Sequence, residues 1–158
     1  MLSEDSLFSI MLEMDIKDLE AMCIAAHMVS KLCHNHFWNT KIKKDLDMDI
    51  MNGSIVEYKL IKKAYLRAET QFVLIGSVSL SLTYNKLYAI LPPHLLREFE
   101  PIDKTDDVLE LVPSWKNIDG KKYAGFIEWH NKQVKATRKD MLTIYAKYIY
   151  LYRKILLK

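Results

Sequence analysis

Apolar residues recur at helical spacing near the start of the chain. The first apolar stripe consists of Leu7, Ile10, Met11 and Met14. These positions fall at i, i+3, i+4 and i+7, which places them on one face of an amphipathic helix. Ser3 can cap the N-terminus of this helix, and we expect it to end near Met14.

Two further short helices are predicted before the first glycine. Asp15 can cap the second helix, and Asp18 lies in its first turn, where an acidic side chain interacts favourably with the helix dipole. The pattern is interrupted at Asn35, because asparagine is a poor residue for a helix interior and a good cap. Helical spacing resumes at Phe37 and continues to Leu46. The first 46 residues therefore predict three short helices joined by tight turns.

A longer helix and a strand are predicted in the middle of the chain. Ser54 and Glu57 have the spacing of a capping box for the helix. Its apolar positions are Ile55, Tyr58, Ile61, Tyr65 and Phe72. Residues 77–84 then alternate strictly between apolar and hydroxyl side chains, which is typical of a strand. No partner strand of equal quality is evident in the sequence, so a strand is one of two interpretations for this segment.

Prolines and a long periodic pattern divide the rest of the chain. The segment from residue 91 to 115 contains four prolines, which predicts short elements and turns. The Asp119–Gly120 pair predicts a tight turn. From Val134 to Ile155, apolar and tyrosine side chains recur every three or four residues, which predicts a helix of about five or six turns. Its tyrosines are interpreted as a packing face, because a buried ring can keep its hydroxyl at the rim.

The whole pattern predicts a mainly α fold in two parts. Residues 1–50 form a three-helix module, and residues 54–158 form a mainly helical second region with a short strand or hairpin near residues 77–90. Of the 158 residues, 50% are hydrophobic and 27% are charged, which fits one compact domain or two very small ones. A chain of this length can bury a core without a disulfide or a metal.

The cysteine content favours an intracellular protein. Cys23 and Cys33 are the only cysteines, and no secretory leader opens the chain. We therefore expect a reducing, cytoplasmic environment in which both thiols are free. The longest apolar stretch runs from Phe72 to Leu82 and is shorter than the about 20 residues that a membrane-spanning helix needs, so we expect no membrane partner.

Four side chains that can bind zinc lie close together in the sequence. They are Cys23, His27, Cys33 and His36, with the spacing C-x3-H-x5-C-x2-H. In a continuous helix Cys33 would lie about 15 Å along the axis from Cys23, so the four could meet only if the chain folded back between them. We expect neither a metal nor any other cofactor.

Neither catalysis nor nucleic-acid binding is the favoured hypothesis. The chain contains no G-x-S-x-G elbow and no glycine-rich phosphate loop, and the acids between Glu98 and Glu110 lack the spacing of a calcium loop. We therefore do not expect an enzyme. Lys41, Lys43 and Lys44 lie near Trp38, and the C-terminal region is basic, so nucleic-acid binding is a third hypothesis. The favoured interpretation is that these lysines are the solvated side of the third helix and that the tryptophan anchors it.

The first third of the chain carries one further pattern. Its positions are Leu2, Asp5 and Leu7, then Ile10 and Met11, then Met14, Asp18 and Leu19, and finally Phe37 and Trp38. This order resembles an F-box, and most closely the divergent F-box-like proteins of large DNA viruses. Ser3 and Ser6 depart from the family pattern, which usually has proline and an apolar residue at these places.

The resemblance implies a partner and a role. F-boxes bind a Skp-type adaptor protein of cullin-RING ubiquitin ligases, and a second region of such proteins recruits a target protein to the ligase. The residues that the resemblance assigns to the adaptor interface are Leu2, Asp5, Leu7, Ile10, Met11, Met14, Asp18, Leu19, Phe37 and Trp38. The resemblance names no target. If the chain is viral, the expected location is the host cytoplasm or nucleus.

The alternative hypothesis is a structural or assembly protein, such as a small viral component that keeps the F-box-like fold without binding an adaptor. The exposure of three residues distinguishes the two hypotheses. An adaptor-binding module should expose Leu7, Ile10 and Met11 in the free protein, whereas a purely structural module should bury them.

Overall fold

The structure is a computed structural model that describes residues 3–25, 32–98, 109–118, 122–129 and 132–157. The chain forms two compact units, Met1–Lys62 and Lys63–Lys158. The division falls within one long helix, further along the chain than the break predicted between residues 50 and 54.

The first unit is built from helices. They are α1 (Glu4–Glu13), α2 (Ile16–Ala25), α3 (Asn35–Leu46) and the first part of α4 (Ile55–Ile75). The predicted caps are present: Ser3 accepts a hydrogen bond from the Ser6 backbone N–H at 3.2 Å, and Asp15 accepts one from the Lys17 backbone N–H at 2.9 Å. Ser54 caps α4 by accepting from the Glu57 N–H. Helices are therefore present in the N-terminal part of the chain, as predicted.

Aromatic side chains form the centre of the first unit. Phe37 is fully buried and Trp38 is 4% exposed, and their rings meet edge to face with centroids 5.2 Å apart. Phe8 packs on Phe37, and Tyr58 packs on Trp38, each edge to face. Such pairs stabilise a core by about 0.5–1.5 kcal/mol beyond the burial of their area.

The end of α3 and the approach to α4 are fixed by local geometry. Asp47 adopts the left-handed conformation with φ of 51°, which ends α3, as a C-terminal cap requires. Gly53 lies so close to α3 that an added Cβ would stand 2.3 Å from the Asn39 amide oxygen. The Gly53 N–H donates to that oxygen at 2.6 Å. Gly53, where the sequence predicts a break, is therefore hydrogen-bonded to the preceding helix α3.

The second unit combines helices with a sheet. Its elements after α4 are β1 (Leu80–Leu82), α5 (Tyr84–Ile90), α6 (Pro93–Glu98), β2 (Leu109–Ile118), β3 (Lys122–Trp129), β4 (Lys132–Ala136), α7 (Arg138–Tyr152) and a 3-10 helix (Lys154–Leu157). The four strands are antiparallel in the order β1-β2-β3-β4. Leu80 pairs with Leu111, and Ile127 pairs with Val134. The fold class is confirmed: the protein is mainly helical, with a small sheet in its C-terminal half.

The sheet contains more than the predicted strand, because β2 runs through a proline. The expectation of only short elements and turns across Pro113 was wrong. The Pro113 carbonyl accepts a hydrogen bond from the Val78 N–H at 3.1 Å. The N and C=O of a strand residue face the same neighbour, so the missing N–H of Pro113 also faces the Val78 side and costs no hydrogen bond to β3.

The last helix is shorter than predicted. Val134 lies in β4, so the helix predicted from this residue begins only at Arg138. Thr137 and Asp140 form a capping box there, which explains the start. Of the tyrosines on the predicted packing face, Tyr145 is buried, whereas Tyr148 and Tyr152 are partly exposed. The turn predicted at Asp119–Gly120 lies outside the described residues.

Candidate partner-binding surface

Helix α1 exposes apolar side chains along one flank. Ile10 is 46% exposed, Leu7 one turn earlier on α1 is partly exposed, and Met14, the C-cap residue that follows α1, is partly exposed as well. We call these three residues the α1 ridge. The adjacent position, Met11, is fully buried. The ridge therefore borders the core without belonging to it. Of the three residues whose exposure distinguishes the two hypotheses, Ile10 is exposed, Leu7 is partly exposed and Met11 is buried.

The other residues assigned to the adaptor interface divide by exposure. Asp5 and Asp18 are exposed. The buried ones are Met11, Leu19, Phe37 and Trp38. Leu2 lies outside the described residues. A side chain without exposed surface cannot touch a partner, so the buried residues can act only by holding α1, α2 and α3 in place.

Lys41 is a structural residue, and its prediction as part of a solvated face was wrong. Its side chain is almost completely buried, at 2% exposed. The ammonium donates to the backbone oxygens of Leu12 at 2.8 Å and Met14 at 2.7 Å, and forms an ion pair with Asp45 at 3.0 Å. The last carbonyls of a helix have no partner within the helix, and a cation there also complements the helix dipole. Lys41 thus attaches the C-terminus of α1 to α3.

Asp45 extends this network to α4. The Tyr58 hydroxyl donates to the Asp45 carboxylate at 2.8 Å. Burial, and then the hydrogen bond and charge of Asp45, raise the pKa of Tyr58 well above its ordinary value, so the hydroxyl also remains a donor in alkaline solution. A cleft of about 500 Å³ lies beside the network, with Met14 of the α1 ridge and Ile16 in its wall.

The remaining lysines of α3 are matched by acids. Lys43 forms ion pairs with Asp47 at 3.4 Å and Asp49 at 3.3 Å. Burial lowers the pKa of Lys43, but hydrogen bonds and charge from Asp49 and Asp47 outweigh it and raise the pKa. Lys44 forms an ion pair with Glu13. A phosphate backbone would have to compete with these carboxylates, which makes α3 a poor nucleic-acid surface.

The two cysteines are joined in a disulfide, so the prediction of free thiols was wrong. The Cα atoms of Cys23 and Cys33 are 6.1 Å apart. The expected distance of about 15 Å assumed one continuous helix through both residues, and the observed distance excludes such a helix. Neither sulfur is available to a metal, and His27 lies outside the described residues. Disulfides are rare in reducing compartments, so the cysteines do not support the predicted cytoplasmic location.

Helix α2 carries an exposed apolar side chain that is not among the predicted interface residues. Ile24 on α2 is 83% exposed. The stripe that begins at buried Leu19 continues through Cys23, which puts Ile24 on the outer face of α2. The helical phase of α2 would have identified Ile24 as an apolar residue outside the core.

No family model, no curated protein and no solved structure matches the chain. Among the helices that the structure describes, none combines the length and the apolar character needed to cross a membrane.

Proposed function

We propose that the chain is an F-box-like recruitment protein. Its N-terminal unit binds a Skp-type adaptor of a cullin-RING ubiquitin ligase, and the remainder of the chain binds a target protein. The observation that carries the proposal is the α1 ridge, in which Ile10 is exposed next to a fully buried Met11. Leu7 and Ile10 of this ridge are also positions of the F-box resemblance.

An exposed apolar ridge on a well-packed helix suits an interface. Full burial of such a side chain contributes about 1.5–3 kcal/mol, and a few apolar anchors supply most of the affinity of a typical interface. The aromatic core around Phe37 and Trp38 supports the proposal indirectly, because it holds α1 in one position. Asp5 on α1 and Asp18 on α2 are exposed and supply polar contacts at the rim of the proposed interface.

The chain would act by proximity rather than by bond-making chemistry. Holding a target beside the ubiquitin-loaded ligase converts a bimolecular encounter into an effectively intramolecular one. The recruited ligase would supply the chemistry, and this chain would contribute two binding surfaces.

Titration of a eukaryotic Skp adaptor into the purified chain tests the proposal by calorimetry. The Ile10→Glu variant places a charge on the α1 ridge and should weaken adaptor binding at least tenfold. Val56→Glu is the matched control, because Val56 is 61% exposed in the same unit and lies off the ridge. Absence of binding by folded wild-type protein at tens of micromolar, or equal binding by Ile10→Glu, would contradict adaptor binding through the α1 ridge.

A structural or assembly role is the second candidate, and the Cys23–Cys33 disulfide favours it. Disulfides persist mainly in oxidising surroundings, such as a secreted or particle-associated state. Alkylation of the protein from its native source, followed by mass spectrometry, distinguishes the candidates. An intact disulfide there would support the structural role, and two alkylated thiols would support action in the cytoplasm.

A further inference from the structure

A groove in the second unit is lined by leucines. Its volume is about 470 Å³, which lies within the range of about 300–1,000 Å³ that is usual for ligand clefts. Leu66 on α4 lines it together with Leu156 and Leu157 of the 3-10 helix. We call this site the leucine groove.

Helical spacing determines what α4 contributes to the groove. Lys63, Leu66, Arg67 and Thr70 follow at three- and four-residue steps and therefore share one face of the helix. Ala64 lies off this face and is fully buried. The Thr70 hydroxyl donates to the Leu66 carbonyl at 2.9 Å, so its donor is used within the helix. This face offers an incoming ligand one apolar side chain and two cations.

The 3-10 helix contributes the other apolar side chains. The Leu156 N–H donates to the Arg153 carbonyl at 2.9 Å, which closes the turn after α7. This turn buries Leu157 and leaves Leu156 39% exposed, while Ile155 is 75% exposed. Leu156 and Leu66, which is 62% exposed, line the same groove and leave apolar surface that the described part of the chain does not cover.

The charges beside the groove are positive. Lys63 and Arg67 are exposed, and neither forms an ion pair with a carboxylate of the described segments. Glu69, the acid on this part of α4, is bound to Arg138. The two cations therefore remain available to an acidic partner.

We propose that the leucine groove binds an acidic, amphipathic peptide segment of another protein. The apolar side chains of the peptide contact Leu66 and Leu156, and its carboxylates pair with Lys63 and Arg67. A segment of this kind docks as an amphipathic helix in a groove, with apolar anchors at helical spacing. The complementary charges select acidic segments over basic ones.

A second copy of the chain fits the groove less well. A symmetric contact through the same patch would bring Lys63 and Arg67 of one copy towards the identical cations of the other. Like charges across an interface oppose association. An acidic peptide meets the same cations with the opposite sign.

The inference deepens the proposed function, because a recruitment protein needs a target site and the groove would supply one. Only the description of the occupant as a ligase target rests on the proposed function. Peptide binding can be measured without an adaptor, so failure of the groove and failure of the adaptor interface are distinguishable.

Fluorescence anisotropy of the full chain tests the groove. The probe is a labelled synthetic peptide of about 15 residues with leucines at helical spacing and glutamates beside them. It should bind saturably with a micromolar dissociation constant that rises with salt. A second peptide with lysine in place of every glutamate should bind at least tenfold more weakly.

Two variants locate the binding. Leu66→Glu and Arg67→Glu should each weaken binding of the glutamate peptide at least tenfold. Val56→Glu on the same helix should leave the affinity for this peptide unchanged. Circular dichroism of each variant confirms that it folds, and the exposure of Leu66 makes its replacement tolerable. Equal binding of both peptides, unchanged affinity in Leu66→Glu, or no saturation below millimolar concentration would overturn the proposal. The proposal would also be overturned if the chain sediments as a dimer, or binds anionic vesicles, and Leu66→Glu abolishes that association.

Discussion

One ion pair from each unit places its charged side chains in a different environment. In the first unit, the Lys41 ammonium is buried and has three oxygen partners, one of which is Asp45. In the second unit, Arg138 pairs with Glu69 at the surface, with both side chains about half exposed. An exposed pair contributes about 0–1 kcal/mol, whereas removing one partner of a buried pair costs about 3–5 kcal/mol. The same type of contact is thus structural at Lys41 and nearly neutral at Arg138.

The largest effect is expected at Lys41. Lys41→Met should lower the free energy of unfolding of the first unit by about 3–5 kcal/mol, because it leaves Asp45 and two helix carbonyls without their cation. Hydrogen exchange of the amides in α1 and α3 measures this loss. Lys43→Met is the matched control, and its side chain is 52% exposed, so a change within about 0.5 kcal/mol is expected. Similar losses in both variants would show that burial does not distinguish these lysines.

The disulfide should have the next largest effect. The double replacement Cys23→Ser/Cys33→Ser opens a loop whose ends are 10 residues apart in sequence, and the loop entropy predicts a loss of about 2–3 kcal/mol. Urea denaturation of the variant and of the oxidised wild type measures the difference. Reduction of the wild type should reproduce the variant, and a reduced protein as stable as the oxidised one would contradict the prediction.

A smaller, pH-dependent effect is expected at Asp140 in the second unit. Burial alone would raise the pKa of Asp140, but hydrogen bonds from His94 and from Thr137 outweigh it and lower the pKa below its ordinary value. The carboxylate therefore stabilises the fold above the unfolded pKa of about 4, and this contribution is lost as the pH falls through the lower folded pKa.

Asp140→Asn should accordingly cost about 1 kcal/mol at neutral pH, which is typical of a lost cap. The melting temperatures of the wild type and the variant, measured by thermal unfolding, should converge as the pH falls below about 4. His94→Ala removes only the exposed partner of Asp140, so its effect should be smaller still. A difference between wild type and Asp140→Asn that does not shrink as the pH falls below about 4 would contradict this explanation.

Local signals were sufficient for the helices of the first unit. Ser3, Asp15 and Ser54 were predicted as caps because a cap depends on residues within one turn of the chain. The α1 ridge was partly predictable, since periodicity defines an apolar stripe. Whether Ile10 or Met11 faces the core depends on how α1 crosses α3, and periodicity does not contain this information.

Contacts between distant residues account for what the sequence did not predict. The role of Lys41 depends on carbonyls nearly thirty positions earlier in the chain. The disulfide depends on the proximity of two cysteines that a continuous helix would hold far apart. Strand β2 was hidden because Pro113 breaks the usual pattern at a position where its missing N–H has no cost. Val134 satisfies helical spacing and strand alternation equally, and its pairing with Ile127 decides between them.

Adaptor binding by the wild type and by Ile10→Glu, measured side by side with Val56→Glu, tests the proposed function most directly. We predict that the wild type and Val56→Glu bind a Skp-type adaptor with similar affinity and that Ile10→Glu binds at least tenfold more weakly. Folded wild-type protein that does not bind, or an Ile10→Glu variant that binds equally well, would contradict the assignment of the α1 ridge as the adaptor interface.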